Sequence, residues 1–352
     1  MTIYLMTCVF SMLFAWFMNR FCRKENKLQY ALSVLLSALP CILVTGLRYG
    51  IGSDYFSYEN NFLSGVMTKD PLYYSVFNQL VQFFGGDFTA SVFLTSVVFF
   101  LLTYTCIFKD SPYPWLSIFL LFGMTYFFAS MNAMRQFLAL AVLLYAIESL
   151  EQQKTIRFFV CIAIASGIHL SSIIFVFIYI LHKLDLDTRI YALLTPVIFG
   201  GLYILRNNLA ALALYLNSYE NFVEDNSTSG LSLLMQFSWQ VALVIIAVLV
   251  YKRGTIENEQ NKFRVYLETQ LIALWEYALV SIITPNEVMR ILWIFTYPTI
   301  IFTPMVIRRI PSTLARAIAI FIVIVGFSIF MYYVIPVNNS HGTLPYQSIF
   351  DI

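Results

Sequence analysis

Residues 158–181 read FFVCIAIASGIHLSSIIFVFIYIL, from Phe158 to Leu181, and how this stretch folds decides the topology of the whole chain. As a single helix it could cross a bilayer once, since a span needs roughly 20 apolar residues. As two short helices meeting at Gly167-Ile168-His169, it enters and returns on the same side. Charge separates the two readings, because loops that stay in the cytoplasm collect Lys and Arg. A single crossing would turn the basic segment from Lys252 to Arg264 outward. A hairpin places sixteen of the 21 basic residues inside and leaves only Arg48, Lys69, Arg135, Arg206 and Arg290 outside. The sequence therefore predicts a broken hairpin. Helices this short need protein or a wet cavity around them to satisfy their backbone.

Working outward from the hairpin, apolar runs predict spans at 3–18, 30–47, 88–108, 113–130, 132–150, 190–205, 231–250, 265–283, 289–307 and 316–335. With the hairpin, the expectation is an all-α, polytopic transmembrane helical bundle of about twelve membrane segments, with both termini outside. Composition agrees: 60% of residues are hydrophobic and 11% charged, where a soluble domain carries about a quarter charged residues. A net charge of +2 leaves no basic excess for a nucleic-acid partner. The first run reads as a retained helix rather than a signal peptide, because Arg20, Arg23, Lys24 and Lys27 follow it and nothing basic precedes it. The five cysteines, Cys8, Cys22, Cys41, Cys106 and Cys161, sit in or beside apolar runs and show neither disulfide nor zinc spacing.

Two outer segments are long. Residues 48–87 open on Arg48-Tyr49-Gly50-Ile51-Gly52-Ser53-Asp54-Tyr55. Further on, Leu72, Val76, Leu80 and Phe84 share one helical face while Ser75, Asn78, Gln79 and Gln82 share another, the pattern of a helix lying in the membrane interface. Residues 206–230 read as a second outer loop.

Topology explains the inside cations but not Arg48, Arg135 and Arg290, which sit at the outer ends of spans. Arg48 precedes a glycine turn and Asp54, Arg135 lies in Asn132-Ala133-Met134-Arg135-Gln136, and Arg290 follows Asn286-Glu287. A guanidinium makes forked hydrogen bonds to phosphate oxygens, so three at one membrane level would suit a lipid-borne pyrophosphate. Any one of them could instead snorkel or pair with Asp54 or Glu287. His169 could be a satisfied histidine at a helix break, or a base, since imidazole titrates near neutrality. Glu276 is an intramembrane carboxylate and so a functional candidate. The chain has no Gly-rich phosphate loop and no His-Glu-x-x-His, so neither a catalytic metal nor a cofactor is expected.

The opening motif Arg48 to Tyr55, followed by Tyr58, resembles the outer-loop signature of the EpsG family, Wzy-like polymerases of bacterial capsules and exopolysaccharides. The resemblance continues through Lys69-Asp70-Pro71-Leu72, Met134-Arg135-Gln136-Phe137, Gly167-Ile168-His169-Leu170-Ser171, Arg290 and the tail Leu344-Pro345-Tyr346-Gln347-Ser348. Ser53 stands where many relatives have Thr, and Leu170 where many have Pro. The resemblance implies a glycosyltransferase of the bacterial cytoplasmic membrane with an extracytoplasmic active face. It would join oligosaccharide repeat units on undecaprenyl pyrophosphate for capsule, exopolysaccharide or O-antigen, beside flippase and chain-length-regulator proteins. It implies Arg48, Arg135, Arg290, Tyr55 and Gln136 as contacts to pyrophosphate and glycan, and His169, Asp54 or Glu287 as proton acceptor. A lipid-linked glycan ligase would use nearly the same chemistry. A transporter of the lipid-linked units would more often show repeats and a site near the midplane.

Overall fold

The computed structural model describes residues 1–21, 26–65, 70–185, 187, 190–191, 194–201, 203–205, 230–251, 257–282 and 292–351. The described residues are almost entirely helical, and five helices are long and apolar enough to cross a membrane, or six if one bent pair forms a single span. The five are α1 (Thr2–Phe21), α2 (Lys27–Gly46), α5 (Phe88–Asp110), α11 (Gly230–Val250) and α14 (Thr313–Tyr332). The bent pair is α6 (Pro114–Gly123) with α7 (Tyr126–Asn132), which turn by 56° at Thr125, a residue held at φ 63°. Two further elements carry more charge at their ends: α8 (Met134–Glu151) and α12 (Glu257–Ile282). Helix α13 (Thr299–Arg309) packs against α6, α11 and α12.

Burial ranks the helices. Helix α5 buries 61% of its apolar window and α1 only 28%, so α5 is interior and α1 peripheral. Leu5, Met6, Phe10, Leu13 and Phe17 on α1, and Leu314, Ile318, Phe321 and Ile322 on α14, are exposed. In water such surfaces would be a liability; in a bilayer they meet lipid tails.

The decisive stretch folds back on itself. Helix α9 (Thr155–Ile168) stops at His169, whose extended backbone (φ −152°, ψ 112°) breaks the ladder. A 3-10 segment (Leu170–Val176) and α10 (Phe177–Leu184) then return, so that Phe158 stacks on Tyr179 with ring centroids 5.5 Å apart. At about 1.5 Å per residue, α9 is roughly 21 Å long, short of a full hydrocarbon thickness.

Both chain ends lie at the end of the bundle where the hairpin turns. Tyr4 Oη donates to the Thr343 carbonyl (2.7 Å), the Tyr49 N–H to Gln347 O (3.0 Å), and the Ile349 N–H to Leu47 O (2.9 Å). The tail thus folds over the turn that follows α2.

The segment that follows the turn after α2 departs from regular α periodicity. Helix α3 (Tyr55–Ser64) is followed by a π-helical stretch (Leu72–Asn78) and α4 (Gln79–Phe83). Val76, Leu80 and Phe84 are exposed as the pattern expects, but Asn78 turns inward and accepts from Ser91 Oγ (2.8 Å). The wider π turn shifts the register by which Asn78 would have joined Ser75 and Gln79 on a polar face. The predicted spans 190–205 and 289–307 and the loop 206–230 fall partly or wholly outside the described residues.

Candidate active site

Three segments far apart in sequence meet at the tail-covered end. The first is the turn after α2. Gly52, at φ 100°, has its Cα so close to α7 that a Cβ would come within 2.7 Å of the Met131 carbonyl oxygen. Only glycine fits there. The approach lets Asn132 Oδ1 accept from both Ser53 Oγ (2.8 Å) and the Asp54 N–H (2.9 Å). Arg48 lies beneath, 1% exposed. It donates from Nε to Ile51 O (3.3 Å), from Nη2 to Met131 O (3.1 Å), and from Nη1 to Thr45 O. Burial pulls its pKa down to about 10, partly offset by nearby phenols, which leaves it charged at neutral pH. Tyr55 packs against Tyr49 and Phe88 in the core, its ring 6.0 Å from the Arg48 guanidinium carbon.

The second segment is Asp70-Pro71-Leu72, which enters the π-helical stretch, and the third is the hairpin tip. A Cβ on Gly167 would lie 2.5 Å from Leu72 Cδ1, so the glycine lets this segment settle onto the tip. Asp70 then accepts the Leu170 N–H on Oδ1 (3.0 Å). Its Oδ2 faces His169 Nδ1 at 3.5 Å and forms an ion pair with Arg135 at the start of α8. Arg135 also donates to Tyr58 Oη (3.4 Å), and its guanidinium carbon lies 4.7 Å from the ring centre of Tyr74 and 5.3 Å from that of Tyr58.

This Arg–Asp–His group is layered. Asp70 is 1% exposed, while the side chains of Arg135 and His169 are 15% and 21% exposed. Burial alone would raise the Asp70 carboxyl, but His169 and Arg135 outweigh it and hold the carboxyl below its ordinary value. The tip carries unmet polar demand: the hydroxyls of Ser166, Ser171 and Ser172 and the His169 Nδ1 are buried without a hydrogen-bond partner. Buried polar atoms are rarely left so, and their concentration at one turn marks a place built for more than packing.

Of the residues singled out in the sequence, Arg135 and His169 are brought together. Arg48, Tyr55 and Asp54 belong to the adjoining turn, and Gln136 is buried one residue along α8. Arg290 and Glu287 lie outside the described residues. Glu276 is buried on α12, its Oε2 without a hydrogen-bond partner. The sequence motifs contain Asp70, which joins the two, and Asn132, which anchors the glycine turn, but sequence reading assigned neither a role.

The profile of the EpsG family, a family of polysaccharide polymerases, matches residues 31–348, nearly the whole chain. Comparisons with curated proteins and with solved structures give no match.

Proposed function

The chain belongs to the EpsG family of polysaccharide polymerases, and we propose that it is a Wzy-like, metal-independent glycosyltransferase acting on undecaprenyl-pyrophosphate-linked oligosaccharides. The reaction would take place at the extracytoplasmic face of the bacterial cytoplasmic membrane. The observation that carries this reading beyond the family is the convergence of Arg135, Asp70 and His169 at one end of an apolar bundle.

In the proposed reaction, a hydroxyl oxygen of the acceptor glycan attacks the anomeric carbon of the donor. The bond from that carbon to the pyrophosphate oxygen breaks, and the lipid pyrophosphate leaves with the electron pair. Arg135 neutralises the departing charge, which a fixed cation does without reorganisation. The hydroxyl proton passes to His169. Arg290 is proposed as a second phosphate ligand, with Asp54 or Glu287 as alternative proton acceptors. The donors of Arg48 are directed to carbonyls, so in this proposal it holds the glycine turn in place, with Tyr55 and Gln136 as buried supports.

The proposed topology has twelve segments, both termini outward, residues 48–87 and 206–230 as outer loops, and 72–84 in the interface. Its support is the pairing of the chain ends with one another and with the turn after α2, while Lys109, Arg157, Lys262, Arg264 and Arg309 gather at the other end. Impermeant cysteine labelling in intact cells should modify a reporter at Asn338, which is exposed in the tail, and spare one at Glu257; the reverse would overturn the orientation.

The function is tested with purified protein in detergent, supplied with lipid-pyrophosphate-linked repeat units. A ladder of longer glycans is expected. Transfer of a single preformed glycan to a different acceptor would indicate a ligase, and movement of units across vesicles without extension a transporter; either would overturn the proposal.

A further inference from the structure

From the same corner we infer that Asp70 is a positioning residue. It fixes the tautomer of His169 and so aims the basic nitrogen at the acceptor hydroxyl. The inference rests on the reading of His169 as proton acceptor.

A neutral imidazole carries its proton on one nitrogen only, and the partner of that nitrogen decides which one it is. In this chain the geometry leaves little choice. His169 Nδ1 is buried, and Asp70 Oδ2 faces it at 3.5 Å, at the outer edge of hydrogen-bonding distance. Catalytic hydrogen bonds are often this long before substrate arrives. The exposure of the side chain belongs to the remaining ring atoms, so Nε2 is the nitrogen turned to the accessible side.

The carboxylate is itself held from three directions. The Leu170 N–H pins Oδ1, Arg135 meets Oδ2, and Leu72 seats the segment against Gly167. A carboxylate with both oxygens engaged cannot rotate away, and one that is fully charged draws Nδ1–H toward itself. The imidazole then presents a lone pair on Nε2, the arrangement by which a buried carboxylate orients a histidine base in hydrolases. The phenols of Tyr58 and Tyr74 engage Arg135 rather than the ring, and the serine hydroxyls of the tip carry no charge with which to compete with the carboxylate. Arg135 gains as well, since the same carboxylate holds its guanidinium beside the base. When the acceptor hydroxyl gives its proton to Nε2, the resulting imidazolium has Asp70 as counter-ion.

Two readouts test this, one of them independent of turnover. The chain has three histidines, so 15N-labelled imidazoles give few enough signals to assign His169 by its loss in His169→Gln. Wild-type protein is expected to hold neutral His169 in the Nδ1–H form. In Asp70→Asn, with the amide oxygen kept by the Leu170 N–H, the NH2 group faces Nδ1 and the Nε2–H form should prevail. Asp70→Glu, which keeps the charge, should retain Nδ1–H. In the extension assay, Asp70→Asn should lower turnover about a hundredfold at saturating substrate. On a His169→Ala background it should cost no more than about twofold further, because two residues acting as one unit are not additive. An unchanged tautomer in Asp70→Asn would overturn the inference, as would losses that multiply with those of His169→Ala. If His169→Ala alone ran at the wild-type rate, the reading of His169 as base would fall, and the 15N spectrum would still judge the pairing.

Discussion

At the Lys/Arg-rich end of the bundle, Asp110, Glu148 and Glu268 are buried, and each has at least two polar or charged partners. Asp110 takes Lys262 (2.6 Å) and Tyr266 Oη (3.1 Å); Glu148 takes Lys109 (2.6 Å), Arg157 (3.2 Å) and Gln152 (2.8 Å); Glu268 takes His182 (2.7 Å) and Arg264 (2.8 Å). At the tail-covered end Asp70 is buried just as deeply and meets Arg135 and the Leu170 N–H, but the serine hydroxyls at the hairpin tip are unmet and His169 Nδ1 stands 3.5 Å from the carboxylate. The same chemical groups thus make a closed network at one end and an unfinished one at the other. Closed networks hold helices together; unfinished ones have capacity for a substrate.

The contrast predicts opposite outcomes for substitutions at the two ends. The largest effect is expected for His169→Ala, which should lower chain extension by roughly a hundredfold or more with thermal stability nearly unchanged. Lys262→Ala should do the reverse. Leaving Asp110 buried without its cation costs about 3 kcal/mol or somewhat less, since Lys262 is itself 20% exposed. The melting temperature should fall while turnover per folded molecule stays at the wild-type level. A turnover defect at full stability would break the comparison.

Gly52→Ala should act through the frame of the site. The strained backbone and the collision with the Met131 carbonyl together cost on the order of 1 to 3 kcal/mol. Both yield and turnover are expected to drop. The smallest effect concerns acid. The Asp70 carboxyl is held below its ordinary value, so it contributes stability above its unfolded value of about 3.9 that is lost as pH falls through the depressed folded value. Stability measured from pH 6 down to pH 3 should decline less steeply in Asp70→Asn than in wild type.

Much of the fold was legible because membrane insertion writes itself in runs and charges. The hairpin at 158–181 followed from counting lysines and arginines, since only a reversal at His169 keeps the basic loops on one side. The π-helical register of 72–78 was not legible, because no residue in Leu72-Tyr73-Tyr74-Ser75-Val76-Phe77-Asn78 announces a widened turn. At the site, Arg135 and His169 stood out as polar groups in apolar surroundings. Asp70 did not, since beside Lys69 it reads as a solvated loop carboxylate, and its partners lie 65 and 100 residues away. Arg48 drew attention for its charge, yet the groups that satisfy it are backbone carbonyls, which leave no mark in a sequence.

The central claim is that Arg135 meets the pyrophosphate of a lipid-linked substrate, and the most direct measurement is the affinity of purified protein for lipid pyrophosphate. Loss of one charge-assisted contact should weaken binding by roughly ten- to a hundredfold in Arg135→Ala, about 1.5 to 3 kcal/mol. Arg135→Lys should recover only part of it, because the forked geometry is gone. Wild-type affinity in a correctly folded Arg135→Ala protein would contradict the account.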